Sequence, residues 1–142
     1  MANKFKSGVP SPVTLAIPAT EKFSDILAGE DLGPADACYI DDANGRAYKS
    51  KANAGGSSSA SQIEARRVDG YAAVQTKTGD PVTLLRVCVW RYFAVDHAAG
   101  IRLYLSSDYA GGLADHRPGG HEDNPQIGLT LSKGRVLLKP SW

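Results

Sequence analysis

Turn-forming residues recur so closely along this chain that no apolar run has room to become a long helix. Gly and Pro supply 15 and 8 of its 142 residues. Between them lie short stretches rich in β-branched and aromatic side chains, a pattern that predicts strands. The stretch 29–50, GEDLGPADACYIDDANGRAYKS, shows the unit. Ala37 to Ile40 is expected as a strand, Asp41 to Gly45 as a turn, and Arg46 to Lys49 as the returning strand. Asn44-Gly45 is the turn signal, since both residue types tolerate positive φ. Tyr39 and Tyr48 then pair across the hairpin. A small or Gly-led turn feeding a short strand occurs again in GDPVTLL and AGIRLYLS.

The same reading extends along the chain. Val13 to Ile17 alternates as a strand does. Residues 79–95, GDPVTLLRVCVWRYFAV, form the clearest apolar segment. Val82, Leu84, Val87, Val89, Tyr92 and Ala94 do not keep to one face, which predicts a bend or bulge near Leu85-Arg86. Beyond it, Arg86, Cys88, Trp90 and Tyr92 share one parity and Val87, Val89, Arg91 and Phe93 the other. Ile101–Leu105, Leu113–Asp115, Ile127–Leu131 and Arg135–Lys139 follow as strands, the last two joined by SKG. Gly55 to Ser59 reads as a flexible loop. Ser61 and Glu64 form a capping box for one or two helical turns through Arg67, which Gly70 ends. Residues 68–74 then return to extended structure.

The expected fold is therefore all-β: a small β-barrel or β-sandwich of short antiparallel strands, with at most one short helix. Residues 1–18, with three prolines, read as an extended N-terminal arm, and 19–142 as the β domain. Two readings of the arm stand, a frayed terminus and a segment that orders only against a partner.

Formal charge is +1, which gives no electrostatic case for nucleic acid or an anionic membrane. No apolar run approaches the roughly 18 residues of a spanning helix, and the N-terminus lacks the apolar core of a signal peptide. A soluble protein made in the cytoplasm is expected. Cys38 and Cys88 each lie in an apolar strand-like run, where free, buried and reduced thiols are expected and a disulfide is the alternative.

A search for chemistry finds no credible active site. Asp41 and Asp42 resemble a carboxylate pair but sit at a turn, where such residues are turn formers. His116 and His121, with Asp115, Glu122 and Asp123, match no strong metal signature, and Pro118-Gly119-Gly120 separates them; a solvated loop is expected, with metal binding as the alternative. His97 reads as a turn residue. No G-x-S-x-G elbow or phosphate-binding loop occurs. Cys88 stands between Val87 and Val89, a setting that suppresses thiol reactivity. RVCVWRYF interleaves basic and aromatic residues as a nucleic-acid stacking face does, but a core strand with arginines at its rim fits better. No catalysis, cofactor or metal is expected.

Taken in order, four segments resemble the capsid decoration (cement) proteins of tailed phages. AGEDLGPADACYIDDANGRAYKSKA is similar to that family's N-terminal hairpin. VDGYAAV with GDPVTLLRVCV resembles its middle, AGIRLYLSSDYAGGLAD its late hairpin, and NPQIGLTLSKGRVLLKP its closing pair. The arm is longer and more Pro-rich than the family pattern, and WRYFAVDHAAG is bulkier. The resemblance implies a non-catalytic virion protein, made in the host cytoplasm, that binds the outside of an icosahedral shell and stabilises it. Its partners would be the major capsid protein and two further copies of itself in a homotrimer, with neither nucleic acid nor membrane bound. Lys4, Phe5, Lys6, Val9, Pro10 and Pro12 are the expected interface residues of the arm. A tail or head–tail joining protein is the alternative within phage structure, and a small metal-binding module the alternative outside it.

Overall fold

The computed structural model describes residues 13–17, 22–51, 67–92, 98–106, 109–115, 126–131 and 134–141. Among them are eleven strands and no helix: β1 (Val13–Ile17), β2 (Lys22–Leu27), β3 (Ala37–Ile40), β4 (Ala47–Lys49), β5 (Gly70–Ala72), β6 (Pro81–Leu85), β7 (Cys88–Tyr92), β8 (Arg102–Leu105), β9 (Leu113–Ala114), β10 (Gln126–Thr130) and β11 (Arg135–Leu138). They form two antiparallel sheets, a six-stranded one in the order β1-β7-β11-β10-β8-β9 and a five-stranded one in the order β2-β6-β5-β3-β4. The all-β expectation holds. The short helix expected before Arg67 falls on residues 61–66, outside the described residues.

The apolar segment around residue 85 shows how the two sheets are joined. It is two strands, β6 in the five-stranded sheet and β7 in the six-stranded one, separated by a bend at Arg86-Val87. This is the expected bend, and it does more than shift parity: the chain changes sheet there, as strands do at the corners of packed sheets. Val82 and Leu84 turn into one apolar cluster and Leu85, Cys88 and Trp90 into another. One side-chain alternation could not serve both.

The larger cluster fills the space between the sheets. Ala37, Tyr71 and Leu85 face Trp90, Leu103, Leu105, Leu113, Ile127, Val136 and Leu138 across it. The smaller lies on the other side of the five-stranded sheet and gathers Cys38, Ala47, Ala72, Val82 and Leu84 beneath Ala28 and Leu32. Because that sheet is covered on both faces, its strands are apolar at both parities. Tyr71 adds a polar tie within the larger core. Its hydroxyl donates to the Lys139 carbonyl at 2.6 Å and lies 3.3 Å from that of Ile127.

The β3–β4 hairpin forms in the expected register, with Tyr39 opposite Tyr48 and their rings stacked at 5.8 Å between centroids. The turn differs from a two-residue Asn-Gly loop. Asp41 N–H donates to the Arg46 carbonyl, and Gly45 N–H to the Asp41 carbonyl. Gly45 alone adopts positive φ, so the loop spans Asp42 to Gly45. Gly79 and Gly100, the leads into β6 and β8, have φ of 87° and 86°. Ahead of β3 it is Ala35, not Gly33, that adopts positive φ, at 65°.

Candidate interaction surfaces

Several groups that sequence raised for chemistry have structural roles. Asp41 accepts Ala43 N–H at 2.7 Å, stabilising its own turn, and Asp42 is an exposed turn residue 3.7 Å from Arg67. Both cysteines are free and buried, in different apolar clusters. Burial pushes the Cys88 thiol up to about 12, against the smaller opposing effect of the Trp90 indole N–H, which donates to Cys88 Sγ at 3.1 Å. Cys38 Sγ donates to the Asp36 carbonyl at 3.2 Å. His97, His116 and His121 lie outside the described residues. Among the described residues no group of three or more His, Cys, Asp or Glu is placed to hold a metal ion, and no helix is long and apolar enough to cross a membrane.

The basic and aromatic residues around β7 separate. Trp90 is buried between the sheets, Arg91 is exposed on the opposite face, and Arg86 sits at the bend. The Arg86 guanidinium lies 5.5 Å above the Phe23 ring. Its buried Nε has no hydrogen-bond partner, and the ring face offers that cation a partial substitute.

Among the described residues, the edges and faces of the sheets are the candidate surfaces. An exposed sheet edge is a row of unpaired N–H and C=O groups ready to pair with another chain. The five-stranded sheet closes its own. Ala28, directly after β2, bridges in parallel to Ala47 of β4. Gly29 N–H donates to the Ala47 carbonyl at 2.8 Å, and the Glu30 carboxylate accepts Lys49 N–H at 2.9 Å. The first and last strands of the sheet therefore meet, giving it a barrel-like curl. Beside it, Asp31 ties down the loop ahead of β6 by accepting the Thr78 N–H and hydroxyl at 2.8 and 2.9 Å. Those bonds, the backbone one foremost, hold the exposed Asp31 carboxyl below its ordinary value.

The six-stranded sheet ends differently. β9 is two residues long, and the turn before it is tied to the other sheet through Ala37 N–H and the Gly111 carbonyl at 3.1 Å. β1 is the other outermost strand. It pairs with β7 from Val13 opposite Tyr92 to Ile17 opposite Val89, and among the described residues nothing pairs with its outer edge. Residues 13–17, grouped with the arm by sequence, are thus part of the sheet, and residues 1–12 precede them in sequence. Lys4, Phe5, Lys6, Val9, Pro10 and Pro12 lie outside the described residues.

The edge seam at 28–30 was not legible in the sequence, although Gly29-Glu30 lies within the stretch that resembles the cement family. The signal was the glycine itself: a Cβ at Gly29 would fall inside the Tyr48 ring. No family model, curated protein or solved structure matches this chain.

Proposed function

We propose that the protein is a capsid decoration protein: a non-catalytic subunit that binds the outer surface of a tailed-phage shell, as a homotrimer, and braces it. The observation that carries this reading is the join between arm and sheet. A Pro-rich segment holding Lys4, Phe5, Lys6, Val9, Pro10 and Pro12 leads directly into β1, whose outer edge has no partner among the described residues. Prolines lower the entropy of a free arm, so ordering it on a partner costs less than ordering a Gly-Ser tail. An extended arm can then insert Phe5 and Val9 into pockets, or pair as an added strand. The ordered resemblance of four segments to the cement family supports the same reading, as does a small core whose other sheet leaves its edge sealed.

The test is to mix the purified protein with expanded capsids and image the shells by electron microscopy. Density at three-fold or quasi-three-fold positions is the expected result. Deleting residues 2–12 should leave the melting temperature almost unchanged and weaken attachment by a large factor. Equal decoration by the truncated chain removes the arm from the interface. Rings or tubes formed in place of decorated shells assign the protein to a tail or head–tail joint.

A further inference from the structure

An outermost strand invites pairing with another chain unless charge, proline, shortness or a cover blunts it. Three of the four outermost strands are blunted. β2 and β4 meet through Ala28 and Ala47, and β9 is two residues long, behind a turn tied to the other sheet through Gly111. β1 is the fourth, and among the described residues nothing pairs with its outer edge. Its sequence, VTLAI, holds neither charge nor proline. Its pairing with β7 is regular from Val13 to Leu15 and shifts only before Ile17. The sequence ahead of β1 contains a second strand-like segment. NKFKSGV, Asn3 to Val9, has no proline and alternates, with Phe5, Ser7 and Val9 at one parity and Lys4 and Lys6 at the other.

We propose that residues 3–9 of a second copy of this chain form the strand that completes the outer edge of β1. The same copy's arm is poorly suited to fold back there. A tight hairpin through Pro10-Ser11-Pro12 needs positive φ or a helical turn at those positions. Proline holds φ at about −65° and denies the residue before it, Ser11, the helical region. Three extended residues instead carry the chain roughly 10 Å beyond β1. A second β1 fits less well than an arm, because an antiparallel β1–β1 pair would carry the shift before Ile17 twice. Arm and edge occur once in every copy, so each copy gives one strand and receives one, a heterologous contact that a ring of copies closes. In strand addition the main chain supplies affinity and alternate side chains supply specificity. Phe5 and Val9 then face the receiving molecule and Lys4 and Lys6 face solvent. The inference rests on the arm's role in the reading above, but it concerns free protein in the absence of shells.

Sedimentation velocity of the free full-length chain should show an oligomer. Phe5→Asp with Val9→Asp should weaken self-association by roughly tenfold or more, whereas Lys4→Gln with Lys6→Gln should not. A mixed sample then locates the contact. Unlabelled full-length chain carrying a nitroxide on Lys6→Cys is mixed with ¹⁵N-labelled full-length chain, in which only a neighbouring copy can broaden a signal. Cys38 and Cys88 are free and buried, which directs the label to position 6. Broadening should centre on the amides of β1 and β7 and spare the β3–β4 hairpin. If the Lys6→Cys chain fails to assemble, Lys4→Cys takes its place and the same pattern is required. The proposal is overturned by a full chain that stays monomeric, by undiminished association of the Phe5 and Val9 variant, or by broadening centred away from β1, on another arm included. A monomer that still decorates shells overturns it and leaves the capsid reading standing. An oligomer with this broadening pattern that leaves shells bare upholds it and defeats the capsid reading.

Discussion

Gly29 sits against the Tyr48 ring at the seam between β2 and β4, and a Cβ added there would have to displace it. Replacing it with Ala forces the ring aside and should cost about 1–3 kcal/mol, the usual range for overpacking, read by urea denaturation. In a Tyr48→Ala background the same change should cost much less, since neighbouring substitutions couple. That difference separates a clash from a general loss of loop freedom. The buried thiols give a second test at this scale. A Cys88 thiol pushed up to about 12 carries almost no thiolate at pH 8, and Cys38 is buried as well. Neither should react with a disulfide reagent until the protein unfolds, and prompt labelling of the native chain would contradict both placements. Because burial disfavours the Cys88 thiolate, this group leaves stability unchanged below its ordinary 9.0 and lowers it as pH climbs from there towards 12.

Among the elements, β2 is the one that sequence did not reveal. Its residues Phe23 and Ile26 both pack against the smaller core, three positions apart, a spacing that alternation forbids. The cause is a bulge: register with β6 shifts between Phe23 and Ile26, and Asp25 adopts φ of 62°. The extra residue resets the parity and bends an edge strand, a device that also discourages unwanted pairing. Aspartate tolerates this conformation better than a β-branched residue does. Asp25→Val should therefore destabilise by about 1–2 kcal/mol while Asp25→Gly does not, as thermal denaturation would show. The bend at Arg86-Val87, by contrast, was legible, because Val82, Leu84 and Val87 visibly refuse a common face.

In the whole molecule, Tyr71 links the sheets. It belongs to β5, yet its hydroxyl reaches the carbonyls of Ile127 and Lys139, at β10 and just past β11. Tyr71→Phe keeps the packing and removes the donor. The Ile127 carbonyl retains the Lys139 N–H at 2.9 Å, so the expected loss is that of the partly buried hydrogen bond to Lys139, about 1 kcal/mol. Equilibrium unfolding followed by tyrosine and tryptophan signals together should still show one transition. Two separate transitions would mean that the sheets fold as independent units.

By itself the sequence determined the all-β class, the β3–β4, β8 and β10–β11 strands to within a residue or so, and the burial of Cys38 and Cys88. Propensity, alternation and turn chemistry act over a few neighbouring residues, so those features are written where they occur. Only the tertiary structure decided that β7 lies between β1 and β11, that β6 and β7 belong to different sheets, and that residues 28–30 seal one edge while β1 is left outermost at another. Each of these depends on which distant backbone supplies the hydrogen bonds. A strand satisfies its N–H and C=O groups equally well against many partners, so its own residues carry little record of the one it has.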